Sequence, residues 1–404
     1  MRILVVTSTF PRWQNDTEPA FVYELCMRLH RLGANLDVLA PHAPAAKTRE
    51  QMNGIKVYRY RYCPERLEIL AYRGGILANL RRHWFGFLII PFLLLFQGIA
   101  VWRRLGNEKY DLVHAHWIIP QGFICVLANL LHSRRNRKPL VCTSHGGDLY
   151  ALRNRPFTAI KKFVMEQLSH LCVVSRTMQE TCIASGARAE RISVLPMGVD
   201  LKRTFIPRAD VVRRDNRLVC VGRLVEKKGI VYLIDAVAII KKAIPDIELL
   251  LVGNGPELPA IKQRIKQLCL ERNVTLAGSV SNPELPALYA SAAVAVIPSI
   301  VDRSGDQEGF GLVIVEALGC GCAVVASDLP AIHDIVRHGQ NGLLARPGDV
   351  ADLADKIMLL LRDRKLRDRL AANGRESVCS RFDWEEITAQ YHKLFVGLAA
   401  QTNF

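Results

Sequence analysis

The sequence lacks the paired cysteines of zinc modules and of disulfide-stabilised secreted domains. Its 11 cysteines include no Cys-x-x-Cys pair, and most lie inside apolar runs such as Leu218-Val219-Cys220-Val221. We therefore expect reduced, buried thiols and a cytoplasmic protein. There is also no Asp-x-Asp motif, the carboxylate pair that would hold a divalent ion. We predict no metal site and no bound cofactor.

Two further absences narrow the class of protein. There is no internal repeat and no low-complexity segment, which excludes solenoids and disordered arrays. The first apolar run, Ile3–Val6, is short and is not followed by a small-residue cleavage site. We interpret it as a β-strand rather than as a signal peptide.

Acidic residues are scarce in the first half of the chain. Residues 1–204 contain 29 Lys+Arg and 14 Asp+Glu, whereas residues 205–404 contain 25 and 24. A basic surface attracts anionic lipid headgroups, polyphosphates or nucleic acid through the same electrostatics. No nucleic-acid-binding motif is present, and aromatic residues are not interleaved with the basic ones, so we predict no nucleic-acid partner.

One segment resembles a membrane span. Trp84–Trp102 contains no charged residue and is flanked by Arg81-Arg82 and Arg103-Arg104. Its length is near the lower limit for spanning, Pro91 and Gln97 interrupt it, and a true span would separate the two halves of one domain. We expect instead a helix that is partly buried in the core and partly laid on a membrane surface.

Short apolar runs alternate with segments of helical period through almost the whole chain, which predicts an α/β fold with parallel sheets. The expected strands of the first half are Ile3–Val6, Leu36–Leu39, Lys56–Tyr60, Leu112–Ala115, Leu140–Thr143, Leu171–Val174 and Ile192–Leu195. Those of the second half are Leu218–Val221, Glu248–Val252, Thr275–Gly278, Val294–Ile297 and Ala323–Ala326.

The two series of strands predict two domains. Pro196–Asp200 and the polar residues up to Asn216 have the composition of a linker, so we place the boundary near residue 205. The predicted domains are residues 1–204 and residues 205–383, each Rossmann-like and doubly wound. Amphipathic helical segments follow Asp349, and the last of them is Trp384–Leu398.

Two loops have the composition of a phosphate site. In open α/β sheets, ligands collect where strands run into helix N-termini, whose free N–H groups bind anions. The first loop, Gly222–Gly229, follows a predicted strand and contains Arg223 and Lys228, whose side chains can both reach one polyphosphate. A solvated basic loop is the alternative interpretation.

The second loop opens the run Glu308–Ala317, between two predicted strands of the second half. Gly309 and Gly311 leave main-chain N–H groups bare ahead of a helix, and these groups would bind a phosphate. Glu308 and Glu316 can accept hydrogen bonds from hydroxyl groups. A nucleotide-sugar carries both phosphates and vicinal hydroxyls.

With these motifs in this order, the chain resembles the retaining GT-B glycosyltransferases of family 4 over nearly its full length. The resemblance implies two Rossmann-like domains facing across a cleft, with the donor held by the second. It also implies a C-terminal helix, Trp384–Leu398, that packs back on the first domain. It implies that Glu316 binds the donor ribose, that Glu308 contacts the transferred sugar, and that Arg223 and Lys228 neutralise the diphosphate. The other donor-binding residues that it implies are Gly222, Val280, Gly309, Phe310, Gly311, Leu312 and Val313.

Histidines follow two predicted strands of the first half. The resemblance makes His145 a catalytic residue near the reacting sugar, together with Glu308, and the alternative is a structural hydrogen-bonding histidine. His114 and His116 form a His-x-His pair on one side of a strand. We favour a structural or acceptor-side role for this pair over zinc, because no carboxylate or cysteine accompanies it with ligand spacing.

The chain departs from many relatives after its first strand. Where they carry a Gly-Gly loop, it has Glu18-Pro19-Ala20-Phe21, and Pro19 has no N–H to donate to a ligand. Glu18 and Arg12, with His116, are our acceptor-side candidates.

These features predict a metal-independent, retaining transfer of a sugar from a UDP- or GDP-sugar, without a covalent enzyme intermediate. The basic first domain and the apolar helix favour a lipid-linked or cell-surface glycan acceptor and contact with an anionic membrane, on its inner face. Alternatives are a small soluble acceptor, a phosphorylase or sucrose-phosphate-synthase type of enzyme, and a nucleotide-sugar-binding protein without catalysis. The motifs do not determine the base, the sugar, the acceptor or the oligomeric state.

Overall fold

The structure is a computed structural model that describes residues 1–14, 16, 20–72, 74–152, 154–303 and 305–401. The chain forms two compact units. Unit 1 comprises Met1–Met197 with Ile387–Phe404, and unit 2 comprises Gly198–Glu386. Each unit has its own sheet, so the structure confirms two α/β domains.

Unit 1 is built on an eight-stranded sheet in the order β3-β4-β2-β1-β5-β6-β7-β8. Its strands are β1 (Arg2–Val6), β2 (Asn35–Pro41), β3 (Arg49–Met52), β4 (Ile55–Tyr60), β5 (Leu112–His116), β6 (Leu140–Ser144), β7 (His170–Val173) and β8 (Ile192–Val194). Neighbouring strands run parallel except β3 and β4, which pair antiparallel at one edge. Helices cover the sheet: α1 (Phe21–Arg31), α2 (Ile76–Arg82), α3 (Gly86–Asn107), α4 (Phe123–Leu130), α5 (Gly147–Tyr150), α6 (Arg155–Gln167) and α7 (Arg176–Ala184).

Unit 2 is built on a six-stranded parallel sheet in the order β11-β10-β9-β12-β13-β14. Its strands are β9 (Arg214–Val221), β10 (Glu248–Val252), β11 (Val274–Gly278), β12 (Ala292–Ile297), β13 (Ala323–Ser327) and β14 (Leu343–Ala345). Its helices are α8 (Ile230–Lys241), α9 (Leu258–Gln267), α10 (Leu285–Ser291), α11 (Leu312–Gly319), α12 (Val350–Arg362) and α13 (Arg364–Phe382), and α14 (Trp384–Ala400) ends the chain.

The strand order of unit 2 places a topological switch point between β9 and β12. From β9 the chain adds β10 and then β11 on one side of the sheet. From β12 it adds β13 and then β14 on the other side. At such a point the loops that leave the carboxyl ends of the two central strands diverge and open a crevice for a ligand. Every residue of β12 is buried, as expected for a central parallel strand covered on both faces.

The strands predicted from apolar runs are all present, and two further strands were missed. Arg49–Met52 is a polar edge strand without an apolar run, and Leu343–Ala345 is too short to show a pattern. Both lie at the edges of their sheets. Hydrophobic patterning did not reveal them, because Arg49–Met52 has few buried side chains and three residues are too few to show a period.

The division between the units falls earlier in the chain than residue 205, since residues 198–204 belong to unit 2. The cause is a set of hydrogen bonds with the end of α13. The Val199 N–H donates to the Phe382 carbonyl at 2.9 Å, and the Leu201 N–H donates to the Asp383 carboxylate at 3.1 Å. These partners are distant in sequence, so the linker composition could not show them.

The last helix, α14, returns to unit 1 from Ile387 onward. Its Tyr391 is fully buried there, and the tyrosine hydroxyl donates to the Leu195 carbonyl at 3.0 Å. The same hydroxyl lies 3.2 Å from the Thr143 hydroxyl at the end of β6. The bond ties the C-terminal helix to the sheet of unit 1.

We predict that Tyr391→Phe lowers the free energy of unfolding by about 1–3 kcal/mol, because it leaves buried acceptor groups without a partner. The measurement is urea denaturation followed by far-UV circular dichroism. Tyr232→Phe is the matched control, since Tyr232 is only partly buried in α8. Equal denaturation midpoints for the two variants would show that the Tyr391 hydroxyl does not stabilise the docked helix.

Candidate functional site

The loop after β9 is held in place by the loop after β10. The Gly222 N–H donates to the Val252 carbonyl at 2.9 Å, and the Leu224 N–H donates to the Asn254 carbonyl at 3.0 Å. Gly253 has a φ of 137°, and a Cβ at this position would collide with the carbonyl oxygen of Gly222. Only glycine permits so close an approach, so the two loops form one fixed rim at the carboxyl ends of the strands.

An ion pair joins this rim to the loop that precedes α11. Lys228 Nζ lies 2.6 Å from Glu308 Oε2, and both side chains are largely buried. The stem of Lys228 passes over Gly222. The contact brings together two residues that the sequence predicted for one site from positions 80 residues apart.

The pair holds both of its members in their charged forms. Burial alone would raise the pKa of Glu308, but the charge and hydrogen bond of Lys228, with Lys227 and the Gly309 amide, outweigh it and lower that pKa. Burial alone would lower the pKa of Lys228, and the charge of Glu308 reverses the direction. The carboxylate is therefore ionised at neutral pH.

A second lysine supports the same loop. Lys227 Nζ lies 3.0 Å from Asp306 Oδ2 and donates to the Gln307 carbonyl at 3.3 Å. Lys227 and Asp306 were not predicted as site residues, because a second lysine beside Lys228 is also typical of a solvated basic loop.

Arg223 is exposed at the rim. No carboxylate among the residues that the structure describes pairs with it. Its charge opposes protonation of Lys228, which places the guanidinium within electrostatic range of the Lys228 ammonium. Arg223 is therefore free to contact an anion.

Glu316, on α11, is a partly buried carboxyl group. The hydroxyl of Tyr289, a fully buried residue of α10, donates to Glu316 Oε2 at 3.0 Å. Burial raises the pKa of Glu316 to about 7, an effect that Tyr289 and the charge of Lys228 partly offset. Tyr289 was not predicted as a site residue, because no motif contains it and only the fold brings α10 against α11.

The helix α11 begins directly after Gly311, which has a φ of 97°. The first N–H groups of a helix have no acceptor within the helix, so those of Leu312 and Val313 face the loop with the positive end of the helix dipole. Gly309 and Phe310 are buried ahead of it. Val280 lies after β11 and is partly buried.

The four charged residues predicted for donor binding thus lie in one region of unit 2. Lys228 contacts Glu308 directly and acts on the pKa of Glu316, and Arg223 acts on Lys228. They come from the loops after β9 and β12 and from α11, on the two sides of the switch point. Two cations, two carboxylates and free helix amides can bind a diphosphate and neighbouring hydroxyl groups.

Unit 1 contains a separate cluster of three histidines. His116 Nδ1 lies 3.0 Å from His145 Nε2, and the rings of His114 and His116 are 4.3 Å apart. Burial lowers the pKa of His114 and of His145 to about 3, and it lowers that of His116 well below the usual value. All three rings are neutral at physiological pH, so one nitrogen of the His116–His145 contact donates and the other accepts.

Asp148 fixes the turn that carries His145. Its carboxylate accepts from the Ser144 hydroxyl at 2.9 Å, from the His145 N–H at 3.2 Å and from the Ile118 N–H at 2.6 Å. The ring of His145 packs 4.9 Å from those of Phe21 and Trp117. Asp148 lies four residues after Ser144 in the sequence, and nothing in that spacing indicated this anchoring role.

The structure gives less information about the residues predicted for the acceptor side. Arg12 forms a two-point ion pair with Asp16, with Nε to Oδ2 at 2.8 Å and Nη2 to Oδ1 at 2.7 Å. Glu18 lies outside the described residues. Within the described parts of the chain, no three His, Cys, Asp or Glu side chains are grouped as metal ligands would be.

Comparisons with known proteins show the family to which this chain belongs. Residues 202–377 match the family described as "Glycosyl transferases group 1", and residues 20–203 match "Glycosyltransferase Family 4". The chain is 32% identical over 303 residues to phosphatidyl-myo-inositol mannosyltransferase of Mycobacterium leprae, covering 74% of this chain and 76% of that protein. The chain belongs to glycosyltransferase family 4.

Other members of the family differ in the acceptor that their names give. N-acetyl-alpha-D-glucosaminyl L-malate synthase of Bacillus anthracis is 27% identical over 301 residues, 72% of this chain and 75% of that protein. The relatives therefore include one named for phosphatidyl-myo-inositol and one named for L-malate.

Solved structures confirm the GT-B fold. Sucrose-phosphate synthase from Thermosynechococcus elongatus superposes with a TM-score of 0.80 at 24% identity, covering 99% of this chain and all of that one (100%). Anabaena HepE in complex with UDP superposes with a TM-score of 0.75 at 22% identity, covering 98% and 100% of the two chains. The expectation of two Rossmann-like domains is thus confirmed.

The raised pKa of Glu316 predicts a pH-dependent stability. The folded protein keeps a proton on Glu316 up to about pH 7, whereas the unfolded chain releases it near the ordinary value of 4.5. The folded state binds more protons in this interval, so the free energy of unfolding should fall as pH rises through it. Glu316→Gln should remove this contribution.

The measurement is urea denaturation of the wild type and of Glu316→Gln at several pH values between those limits. Glu376→Gln, at an exposed position of α13, is the control and should follow the wild type. If Glu316→Gln also follows the wild type, Glu316 does not hold the proton.

Proposed function

We propose that the protein transfers a sugar from a nucleotide diphosphate-sugar, with UDP or GDP as the nucleotide, to an acceptor with retention of anomeric configuration and without a metal ion. The observation that carries this proposal is the Lys228–Glu308 contact beside the N-terminus of α11 and beside Arg223, which pairs with no carboxylate in the described parts of the chain. The HepE structure that shares the fold contains UDP, which supports a nucleotide donor.

The lysine can serve two partners at once. An ammonium group has three N–H donors, and in Lys228 one of them points at Glu308. The others remain for a phosphate oxygen of the donor. Lys228 would then hold the diphosphate next to the ionised carboxylate of Glu308. Arg223 and the amides of α11 would complete the anion site.

The same groups suit the departure of the nucleoside diphosphate. As the bond to the sugar breaks, negative charge grows on the leaving oxygen and positive charge on the sugar ring. Arg223, Lys228 and the amides of α11 stabilise the former, and the carboxylate of Glu308 stabilises the latter. Fixed cations take the part that a divalent ion would otherwise play.

Retention follows in our proposal from attack on the face from which the diphosphate leaves, with Glu308 orienting the sugar rather than bonding to it. The role of His145 stays a prediction from the family resemblance. Its neutral ring can exchange a hydrogen bond with a sugar hydroxyl without placing a positive charge there.

Glu316 is proposed to bind the ribose of the donor. A carboxylate accepts hydrogen bonds from two vicinal hydroxyls, and Tyr289 fixes its orientation. Hydroxyls that donate to the ionised form favour ionisation, so donor affinity should increase as pH rises towards and through 7.

The acceptor that we propose is lipid-linked, with the protein on the cytoplasmic face of a membrane. The basic first half of the chain and the phosphatidylinositol named for the mycobacterial relative support this choice. A small soluble acceptor, as in the name of the Bacillus relative, is the second candidate.

Nucleotide binding tests the donor site. UDP or GDP should raise the melting temperature of the wild type, since a ligand at about 100 times its Kd stabilises by about 2.7 kcal/mol. Arg223→Met and Lys228→Met should each weaken the Kd about tenfold or more, because each removes a charged hydrogen bond. Lys242→Met and Arg272→Met, both at exposed positions of unit 2, should bind like the wild type.

Product analysis tests catalysis. Incubation with a panel of UDP- and GDP-sugars and lipid-linked or soluble acceptors should release the nucleoside diphosphate and give a product whose anomeric configuration, read by NMR at early times, matches the donor. An inverted product would overturn retention. Tight nucleotide binding with no turnover of any pair would favour the non-catalytic binding protein.

A further inference from the structure

The helix α3 is apolar on all sides, but only one side packs on unit 1. A row at three- and four-residue spacing, which includes Ile89, Leu93, Gln97 and Val101, is buried. The opposite side exposes Phe87, Leu88, Phe92, Leu95, Phe96 and Trp102, which we call the apolar face. Soluble proteins rarely leave so many large apolar side chains together in water unless they bind something.

By length and composition α3 is also able to cross a membrane, and among the described residues it is the helix that meets this test. The buried row argues against a span. Gln97 is fully buried and accepts a hydrogen bond from the Tyr60 hydroxyl of β4 at 3.3 Å, and Gly98 lies against Ile124 of α4. A span would strip this side from the core of unit 1.

The residues just after α4 extend the apolar face, and basic residues lie beside it. His132, just after α4, lies with Nε2 3.2 Å from the Trp102 carbonyl. Leu131 beside it is 76% exposed, and Arg134 and Arg135 follow in an exposed turn. Arg82 is exposed just before α3.

A basic cavity of about 600 Å³ lies at the end of α3, against β3 and β4. Its lining includes the four arginines Arg49, Arg59, Arg103 and Arg104 and a single carboxylate, Glu108. Such a concentration of guanidinium groups suits a phosphate, with which arginine makes two-point contacts.

Two of these arginines are engaged and two are not. Arg59 is buried against Glu50 at 2.5 Å, and Arg104 lies over the ring of Tyr58. Arg49 and Arg103, by contrast, have no acidic partner within the described ranges. The unneutralised charge of the cavity comes from this pair.

Arg103 connects the cavity to the apolar face. It continues a row of the exposed Leu88, Phe92 and Leu95 and the partly buried Ile99 at three- and four-residue spacing, so all five residues lie along one side of α3. A surface that contacts the row with apolar groups can therefore present a phosphate to Arg103 at its end. A phospholipid leaflet has this combination, with phosphates just outside the acyl chains.

The geometry points to a docking surface for an anionic phospholipid leaflet, with the apolar face of α3 inserted at the acyl boundary and a lipid phosphate held in the cavity by Arg49 and Arg103. The surface lies in unit 1, whereas the proposed donor residues lie in unit 2. It rests on the membrane location in the proposed function and deepens it by naming the residues that contact the lipid. A second copy of this chain fits less well, because symmetric pairing would bring the same arginines together.

Vesicle binding by the full-length protein, without any sugar donor, tests this surface independently of catalysis. The protein should co-sediment with vesicles of phosphatidylcholine and phosphatidylglycerol, more weakly with phosphatidylcholine alone, and less at high salt. Arg49→Gln with Arg103→Gln should weaken binding to the anionic vesicles about tenfold or more while leaving binding to phosphatidylcholine unchanged.

Phe92→Ser with Leu95→Ser should weaken binding to both kinds of vesicle about tenfold or more, since it removes the inserted groups. Should this pair fail to fold, Leu88→Ser at a 70% exposed position provides the same readout. Ile239→Ser with Leu359→Ser and Arg362→Gln with Arg369→Gln are the matched controls in unit 2, where exposed residues of the same types occur.

Three outcomes would overturn the proposal. The first is wild-type protein that ignores both kinds of vesicle. The second is a cavity that binds inorganic phosphate or glycerol phosphate in calorimetry through Arg49 and Arg103 while vesicles are ignored, which would mark a site for a soluble anion. The third is a dimer in sedimentation velocity that Phe92→Ser with Leu95→Ser dissociates, with no effect of these changes on vesicle binding.

Discussion

The ion pair between Lys228 and Glu308 is the contact on which the candidate site depends. It joins the loop after β9 to the loop before α11, across the switch point of the second sheet. Burying two charges costs more than their attraction returns unless other polar groups complete the arrangement. Here Lys227 and the Gly309 amide act on the carboxylate as well, and the lysine keeps donors for a ligand. A site that is already polar and ordered needs little rearrangement to receive charge.

The two units differ in how their charged and titratable side chains are paired. In unit 2 the two lysines of the site are paired with carboxylates, Lys227 with Asp306 and Lys228 with Glu308. The proposed nucleotide diphosphate would therefore meet a few fixed charges rather than a broad positive field. In unit 1 the histidines are kept neutral by burial, and the excess of arginine lies in part around α3 and its cavity. The charge imbalance between the halves of the sequence is thus consistent with the two surfaces that we propose, one for a small ligand in unit 2 and one for an anionic membrane in unit 1.

Much of the fold could be predicted from the chain because central parallel strands must be apolar throughout. The run Ala292–Ile297 is buried along its whole length and was visible as such. The polar strand Arg49–Met52 was not, since its place depends on pairing with β4 at an edge. Of the candidate site, the glycines and the charged residues Arg223, Lys228, Glu308 and Glu316 were recognisable by their order after strands. Tyr289 and Asp148 were not, because a hydrogen bond to Glu316 or to the turn at His145 leaves no pattern in the sequence.

By itself the sequence determined the alternation of strands and helices, the order of the two domains and the residues that share the site, since these follow from hydrophobic period and from motifs read in order along the chain. Only the tertiary structure decided which charges meet and which side of α3 is buried. Both depend on distances between residues remote in sequence, such as the 80 residues between Lys228 and Glu308 and the 37 between Tyr60 and Gln97. Burial then shifts the pKa values of the ionisable groups, and the composition of the chain does not determine which groups are buried.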